Sequence, residues 1–243
     1  MSNVKLTPED IKRVKGLGCL RDKRYEDVFN VRVLTVNGKI STEKQRAIAD
    51  AADKFGSGEV AMTTRQTIEI QGVPYANLEG LFTFLRENGL ESGGTGPKVR
   101  PVVSCKGTTC VFGLIDTYSL SEKIHVRFYQ GWHGTALPHK FKIAVGGCPH
   151  NCVKPNLNDL GVIGCRTPDK SRGYCVYVGG RWGKKTAVAQ PLDKIFSTED
   201  EVLEVIERAL TLFRDEGNTG ERFSETIDRL GFDYVEKKLI GNV

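Results

Sequence analysis

The Gly/Pro-rich stretch "ESGGTGPK" at residues 91–98 breaks regular structure and reads as a hinge between two parts of the chain. Glycine lets the backbone wander and proline removes an amide donor, which makes the stretch a hinge. With 243 residues in all, there is enough chain for two separate cores.

Upstream of the hinge the apolar period switches repeatedly. "FNVRVLTV" (29–36) alternates like a strand, and "STEKQRAIADAADKFG" (41–56) has helical spacing. Ser41 caps that helix, Lys44 three residues on denies it a capping box, and Gly56 marks its stop. "EVAMTTRQTIEIQGV" (59–73) reads as a second strand and "YANLEGLFTFLRENG" (75–89) as an amphipathic helix ended by Gly89. Strand–helix–strand–helix in this length is an α+β unit of ferredoxin-like size. The expected division is a basic leader at 1–27, a ferredoxin-like half-domain at 28–92 and a second, α/β domain at 98–243. In the latter, "VRPVVSC", "KFKIAVGG", "DLGVIGC" and "GYCVYVGGRWGKK" read as strands and the region near 111–122 as a helix. "TEDEVLEVIERALTLFRDEG" (198–217) is a long helix capped by Ser197 or Thr198.

Charge and hydropathy exclude several classes. A formal charge of +5 without a basic, aromatic-interleaved block points away from nucleic acid and suits an anionic ligand. No apolar run approaches the roughly 20 residues of a membrane helix. The opening "MSNVKLTPEDIKRVKG" lacks the apolar centre of a signal peptide, so the expected location is the cytoplasm.

Seven cysteines are many for a reducing compartment, and an odd number argues against a disulfide framework. Cys105 and Cys110 form a Cys-x4-Cys pair, and Cys148 and Cys152 a Cys-x3-Cys pair 38 residues later. Two thiol pairs suit a [4Fe–4S] cluster or zinc, and buried inert cysteines satisfy the same spacing. Lys140 and Lys142 alternate with apolar Phe141, Ile143 and Val145, so both lysines share one face of a strand that leads into Cys148. A solvated face accounts for such a pair; so does an anion site, with Arg100 and Arg32 on strands expected to converge on the same loop.

"LPHKFKIAVGGCPHNC", "MTTRQTIEIQGV" and the tail "GERFSETIDRLGF" together resemble the sulfite and nitrite reductases that couple sirohaem to a [4Fe–4S] cluster. The resemblance spans about residues 28–232 and keeps the family's motif order. It implies that Cys105, Cys110, Cys148 and Cys152 ligate the cluster, with Cys152 bridging to the sirohaem iron. It further implies a substrate cage of Arg32, Arg100, Lys140 and Lys142. Thr64, Arg65 and Gln66 of the "TTRQT" strand would hold macrocycle carboxylates, with Asn151, Gly179, Gly180 and Arg181 as further contacts. The first cysteine pair is one residue shorter than the family's Cys-x5-Cys, which leaves Cys165 or Cys175 as substitute ligands.

Members of the family contain two copies of the half-domain-plus-cluster repeat, and this chain carries one. The implied assembly is a homo-oligomer or a pairing with a related subunit. Neither an appended ferredoxin Cys run nor a dinucleotide fingerprint occurs, so the implied electron donor is an external ferredoxin-like carrier or reductase subunit. Lys142 stands where nitrite reducers of the family tend to have asparagine, which favours six-electron reduction of sulfite to sulfide. Nitrite reduction to ammonia, a non-catalytic [4Fe–4S] electron-transfer protein and a zinc-stabilised module are the alternatives.

Overall fold

The computed structural model describes residues 6–241, which form two compact units divided between Gly96 and Pro97. Among them no helix is long and apolar enough to cross a membrane.

The first unit opens with α1 (Pro8–Gly16), whose N-cap Thr7 and Asp10 make a reciprocal capping box. Its sheet is antiparallel, in the order β1 (Cys19–Arg21), β2 (Val28–Val33), β4 (Ile68–Pro74) and β3 (Val60–Met62). One face, carrying Phe29, Val31, Val33, Ile68, Ile70 and Val73, is buried against α2 (Thr42–Phe55) and α3 (Leu78–Glu87). Full burial of each large aliphatic side chain is worth about 1.5–3 kcal/mol, which makes this shared core the source of the unit's stability. Ser41 caps α2 by accepting from the Lys44 amide, and Gly56 ends it.

Residues 59–73 are not one strand. They form a hairpin in which β3 and β4 pair Met62 with Ile68, and 63–67 make the turn. No glycine or proline marks it; Gln66 takes the left-handed conformation at φ +57°, and the Thr63 and Thr67 hydroxyls, 2.7 Å apart, close it.

The second unit is built on a five-stranded sheet in the order β5 (Val103–Ser104), β6 (Ile143–Gly146), β7 (Leu160–Arg166), β8 (Arg172–Val178), β9 (Gln190–Phe196). The first three strands are parallel and the last three antiparallel. The helix expected near 111–122 begins later, as α4 (Thr117–Ile124), because Asp116 accepts from the Tyr118 and Ser119 amides and fixes the start there. A π-helical turn, His125–Gln130, continues it. Thr198 and Glu201 form the capping box of α5 (Glu199–Glu216), whose eight buried apolar residues cover the sheet. Strand β9 and the closing helices α6 (Phe223–Leu230) and α7 (Phe232–Ile240) complete the unit.

The strand expected from residue 140 begins at Ile143; Lys140–Lys142 form an extended lead-in, bridged by Phe141 to Val99. Phe141 is fully buried, with its ring 5.8 Å from Phe213 and 5.1 Å from Phe223. That aromatic triad pins the lead-in, and alternation then sends its two neighbouring lysines away from the core.

Candidate functional site

The two thiol pairs leave the carboxyl ends of neighbouring parallel strands. Ser104 of β5 is in register with Val145 of β6, so Cys105 emerges level with Gly146, one residue before Gly147. The carboxyl edge of parallel strands is where α/β sheets characteristically present ligand sites. The Cys105 amide donates to Val145 O at 3.1 Å, and the Gly147 amide donates to Cys105 Sγ at 3.1 Å. Gly107 and Gly147 pack backbone to backbone: a Cβ on Gly147 would lie 2.7 Å from Gly107 Cα. Cys110 ends the single helical turn Gly107–Thr109.

Cys148 and Cys152 bound a tight loop. The Asn151 amide donates to Cys148 O at 3.3 Å, Asn151 is left-handed at φ +55°, and its Nδ2 donates to Asn156 Oδ1 at 2.8 Å. Asn and a short polar side chain suit that conformation. Cys148 Sγ lies 3.4 Å from His150 Nδ1, and Cys152 is exposed.

Among the described residues, no three His, Cys, Asp or Glu side chains gather closely enough to hold a single metal ion. A cubane takes one thiolate per iron and so spreads its ligands apart. The donor set is all thiol, an amide already points at one sulfur, and the glycine pair lets the two thiol-bearing backbones approach closely. The residues therefore fit a [4Fe–4S] group. Cys165 and Cys175 are bonded to each other as a disulfide across β7 and β8, which removes them as substitute ligands. The odd count did not prevent a bridge, because an antiparallel pair brings together two thiols ten residues apart.

Beside the thiols stands a group of cations. Arg100 donates its amide to Phe141 O at 2.8 Å, which places it next to the Lys140–Lys142 segment. Both lysines are half-buried, so a simple solvated face does not describe them. The Lys142 amide donates to Asp159 Oδ2 at 2.8 Å, and the same carboxylate receives Arg222. Burial pushes the Lys140 ammonium below its usual pKa, and the positive charges of Arg222 and Arg100 push it further. His139, whose Nδ1 accepts from the Lys140 amide at 2.7 Å, is likewise lowered by burial, then by Lys140, Arg222, Arg100 and Arg181. Arg181 pairs with Glu225 at 2.8 Å. Gly180 admits no side chain, since a Cβ there would lie 2.4 Å from Asn158 O. Such a polycationic patch fits an oxyanion and the carboxylates of a macrocycle.

Sequence reasoning missed Arg222, Asp159 and His139. The available signal for Arg222 was Glu225 three residues later, which accepts from the Arg222 amide at the head of α6.

The remaining expected residues lie on the first unit. Arg32 faces Glu69 across β2 and β4 and donates to Glu69 Oε1 at 2.7 Å and to Gly94 O at 3.2 Å. Thr64, Arg65 and Gln66 are in the β3–β4 turn instead of a strand, with Thr64 exposed and the Gln66 carbonyl accepting from the Thr35 hydroxyl.

The family model for the nitrite and sulphite reductase 4Fe-4S domain matches residues 95–242. The one for the nitrite/sulfite reductase ferredoxin-like half domain matches residues 21–88. A nitrite reductase [NAD(P)H] of Bacillus subtilis is 33% identical over 96% of this chain and 31% of its own length. A coenzyme F420-dependent sulfite reductase of Methanocaldococcus jannaschii is 26% identical over 86% of this chain and 42% of its own length. The chain thus spans less than half of either relative. The solved structure of Mycobacterium tuberculosis NirA superposes with a TM-score of 0.82 at 21% identity, covering 98% of this chain and 48% of that one.

Proposed function

The chain belongs to the nitrite and sulphite reductase family, and on that premise we propose that it reduces sulfite to sulfide. The family match and the reductase relatives imply a [4Fe–4S] cluster and sirohaem. When bound, the pair supplies an iron for the anion and a route for single electrons. Cys105, Cys110, Cys148 and Cys152 are the proposed cluster ligands, with Cys152 shared with the sirohaem iron. Asn151, Gly180 and Arg181 are proposed macrocycle contacts in the second unit, and Thr64, Arg65 and Gln66 in the first.

The observation that carries the sulfite reading is the Lys140–Phe141–Lys142 segment, held by Phe141 in the core and by Asp159 at the Lys142 amide. Two lysines and Arg100 supply the positive charge that a doubly charged, three-oxygen anion requires. The overall change is SO3²⁻ + 6 e⁻ + 7 H⁺ → HS⁻ + 3 H2O, so protons must arrive as each S–O bond breaks. Lys140, its pKa lowered, gives up its proton more readily than an ordinary lysine and serves as the proton donor. Arg100 and Lys142 bind and orient the anion. Arg32 is a proposed anion contact that must share its guanidinium with Glu69.

Nitrite reduction to ammonia is the second reading, favoured by the 33% identity to a nitrite reductase. Electrons come, in this proposal, from an external ferredoxin-like carrier or reductase subunit, and a second copy of the chain completes the assembly. Light scattering of the loaded protein tests the latter, an active monomer being the contrary result. The reading as a whole is tested by the absorbance spectrum of the purified protein and its response to sulfite under reduction. A Soret band that shifts on sulfite addition supports it; a broad iron–sulfur shoulder alone leaves only an electron-transfer protein.

A further inference from the structure

Cys165 and Cys175 lie outside the four paired thiols, and neither the anion site nor the cluster reading uses them. In the β7–β8 ladder Cys165 faces Gly173 and Cys175 faces Ile163, so the two cysteines are diagonal neighbours with Cα atoms 6.1 Å apart. The ladder runs unbroken from Leu160 with Val178 to Arg166 with Arg172. A covalent link here joins strands already paired at every residue and closes a loop with a separation of only ten. Short loops are where a cross-link restrains the unfolded chain least, so stability is a weak reason for this bond.

Its surroundings offer a better one. Both cysteines are half-buried and line a cavity of about 200 Å³ together with Pro149, Asn151, Asn156 and Tyr177. Pro149 and Asn151 belong to the Cys148–Cys152 loop, so the same small space touches the disulfide and the loop that carries two proposed cluster ligands. Asn151 Oδ1 is buried without a hydrogen-bond partner among the described residues, so the space holds an acceptor for the S–H of a cysteine once the pair is reduced and protonated. Cys19 is the contrast: it is buried in the first unit, and burial pushes its thiol up to about 12, which makes it inert.

We infer that Cys165 and Cys175 form a reversible thiol–disulfide site that takes small thiolates through this cavity. A thiolate attacks one Sγ, a mixed disulfide forms, and the Sγ–Sγ bond breaks with the other cysteine leaving as thiolate. A second small thiolate then attacks the outer sulfur of the mixed disulfide, forming the free small-molecule disulfide and releasing the second cysteine. Two thiolates are oxidised by two electrons in total, the protein pair is reduced by two, and each released cysteine takes a proton from solvent. Reduction unlinks the wall that the pair shares with Pro149 and Asn151. The site stands whether or not the chain reduces sulfite.

The test is a redox titration of the whole native protein under anaerobic conditions, in graded ratios of reduced to oxidised dithiothreitol. Rapid alkylation, digestion and mass spectrometry follow. The expected result is that the Cys165 and Cys175 peptides pass together from cross-linked to doubly alkylated along a two-electron curve, with Cys19 unmodified throughout. A cross-link that yields only after denaturation shows a structural bond and overturns the proposal. So does the absence of a cross-link at the most oxidising ratio. In Cys175→Ser protein, Cys165 must be alkylated in the native fold at every ratio; protection of Cys165 there contradicts access through the cavity.

Discussion

Arg222 Nη2 sits 2.8 Å from both carboxylate oxygens of Asp159, and the two side chains are 4% and 0% exposed. They are 63 residues apart in sequence. The carboxylate also receives the Lys142 amide, and Phe223, next to Arg222, packs on Phe141. One buried ion pair and one aromatic contact thus fix the Lys142 end and the middle of the lysine segment. Burial pushes the Asp159 carboxyl upward while Arg222 and the Lys142 amide pull against it, so the pair depends on both partners.

Arg222→Ala leaves Asp159 buried and unpaired and is expected to cost about 3–5 kcal/mol. Urea unfolding of the two proteins measures this. Replacing both partners by apolar residues is expected to recover much of the loss, because no lone buried charge remains. A cost below about 1 kcal/mol for the single change is the result of an exposed pair and contradicts the clamp.

Glu225 gives an acid-side prediction. The Arg222 amide, then Arg181, hold its carboxyl at about 2, below the ordinary 4.5. Because the folded value is depressed, its contribution is present above the unfolded pKa and lost as pH falls from about 4.5 through about 2. The unfolding midpoint of wild type is expected to fall over that window more steeply than that of Glu225→Gln. Parallel curves are the contrary outcome.

Gly147→Ala places a methyl 2.7 Å from Gly107 Cα and 3.4 Å from Cys105 Sγ. The two backbones must part, and the amide aimed at Cys105 moves with them. Iron and acid-labile sulfide per chain are expected to drop by more than half, while far-ultraviolet circular dichroism stays unchanged. Full iron content in the variant removes the glycine pair from the account of the cluster.

Lys140→Arg keeps a positive charge but cannot surrender a proton at working pH. With Lys140 as proton donor, kcat for sulfite falls by about 10²–10⁴ while KM changes little. In wild type the rate declines as pH rises through the lowered pKa of Lys140, and in the arginine variant that limb is gone. A large rise in KM at unchanged kcat assigns Lys140 to anion binding alone.

Much of this was legible in the sequence because it is local. Ser41 and Gly56 bracket α2, Thr198, one of the two expected caps, starts α5, and the Gly/Pro stretch lies where the two units divide. The β3–β4 turn was hidden because a left-handed Gln66 and two threonine hydroxyls do work usually marked by glycine. Strand β9, "QPLDKIF", buries only Leu192 and Phe196 and has no alternation to detect. The lysines of residues 140–142 were visible as a pattern, but the reason they are held was not. Asp159 and Arg222 meet only after the chain has folded, as do Cys165 and Cys175 across their ladder.

The proposal that this chain reduces sulfite by a lysine-rich anion site is tested most directly by kcat/KM. Sulfite and nitrite are compared with one reduced donor, in wild type and in Lys142→Asn. The account predicts that wild type favours sulfite and that Lys142→Asn lowers sulfite turnover more than nitrite turnover, with the Soret band retained. A wild-type enzyme that strongly prefers nitrite, with a ratio unmoved by the substitution, contradicts it.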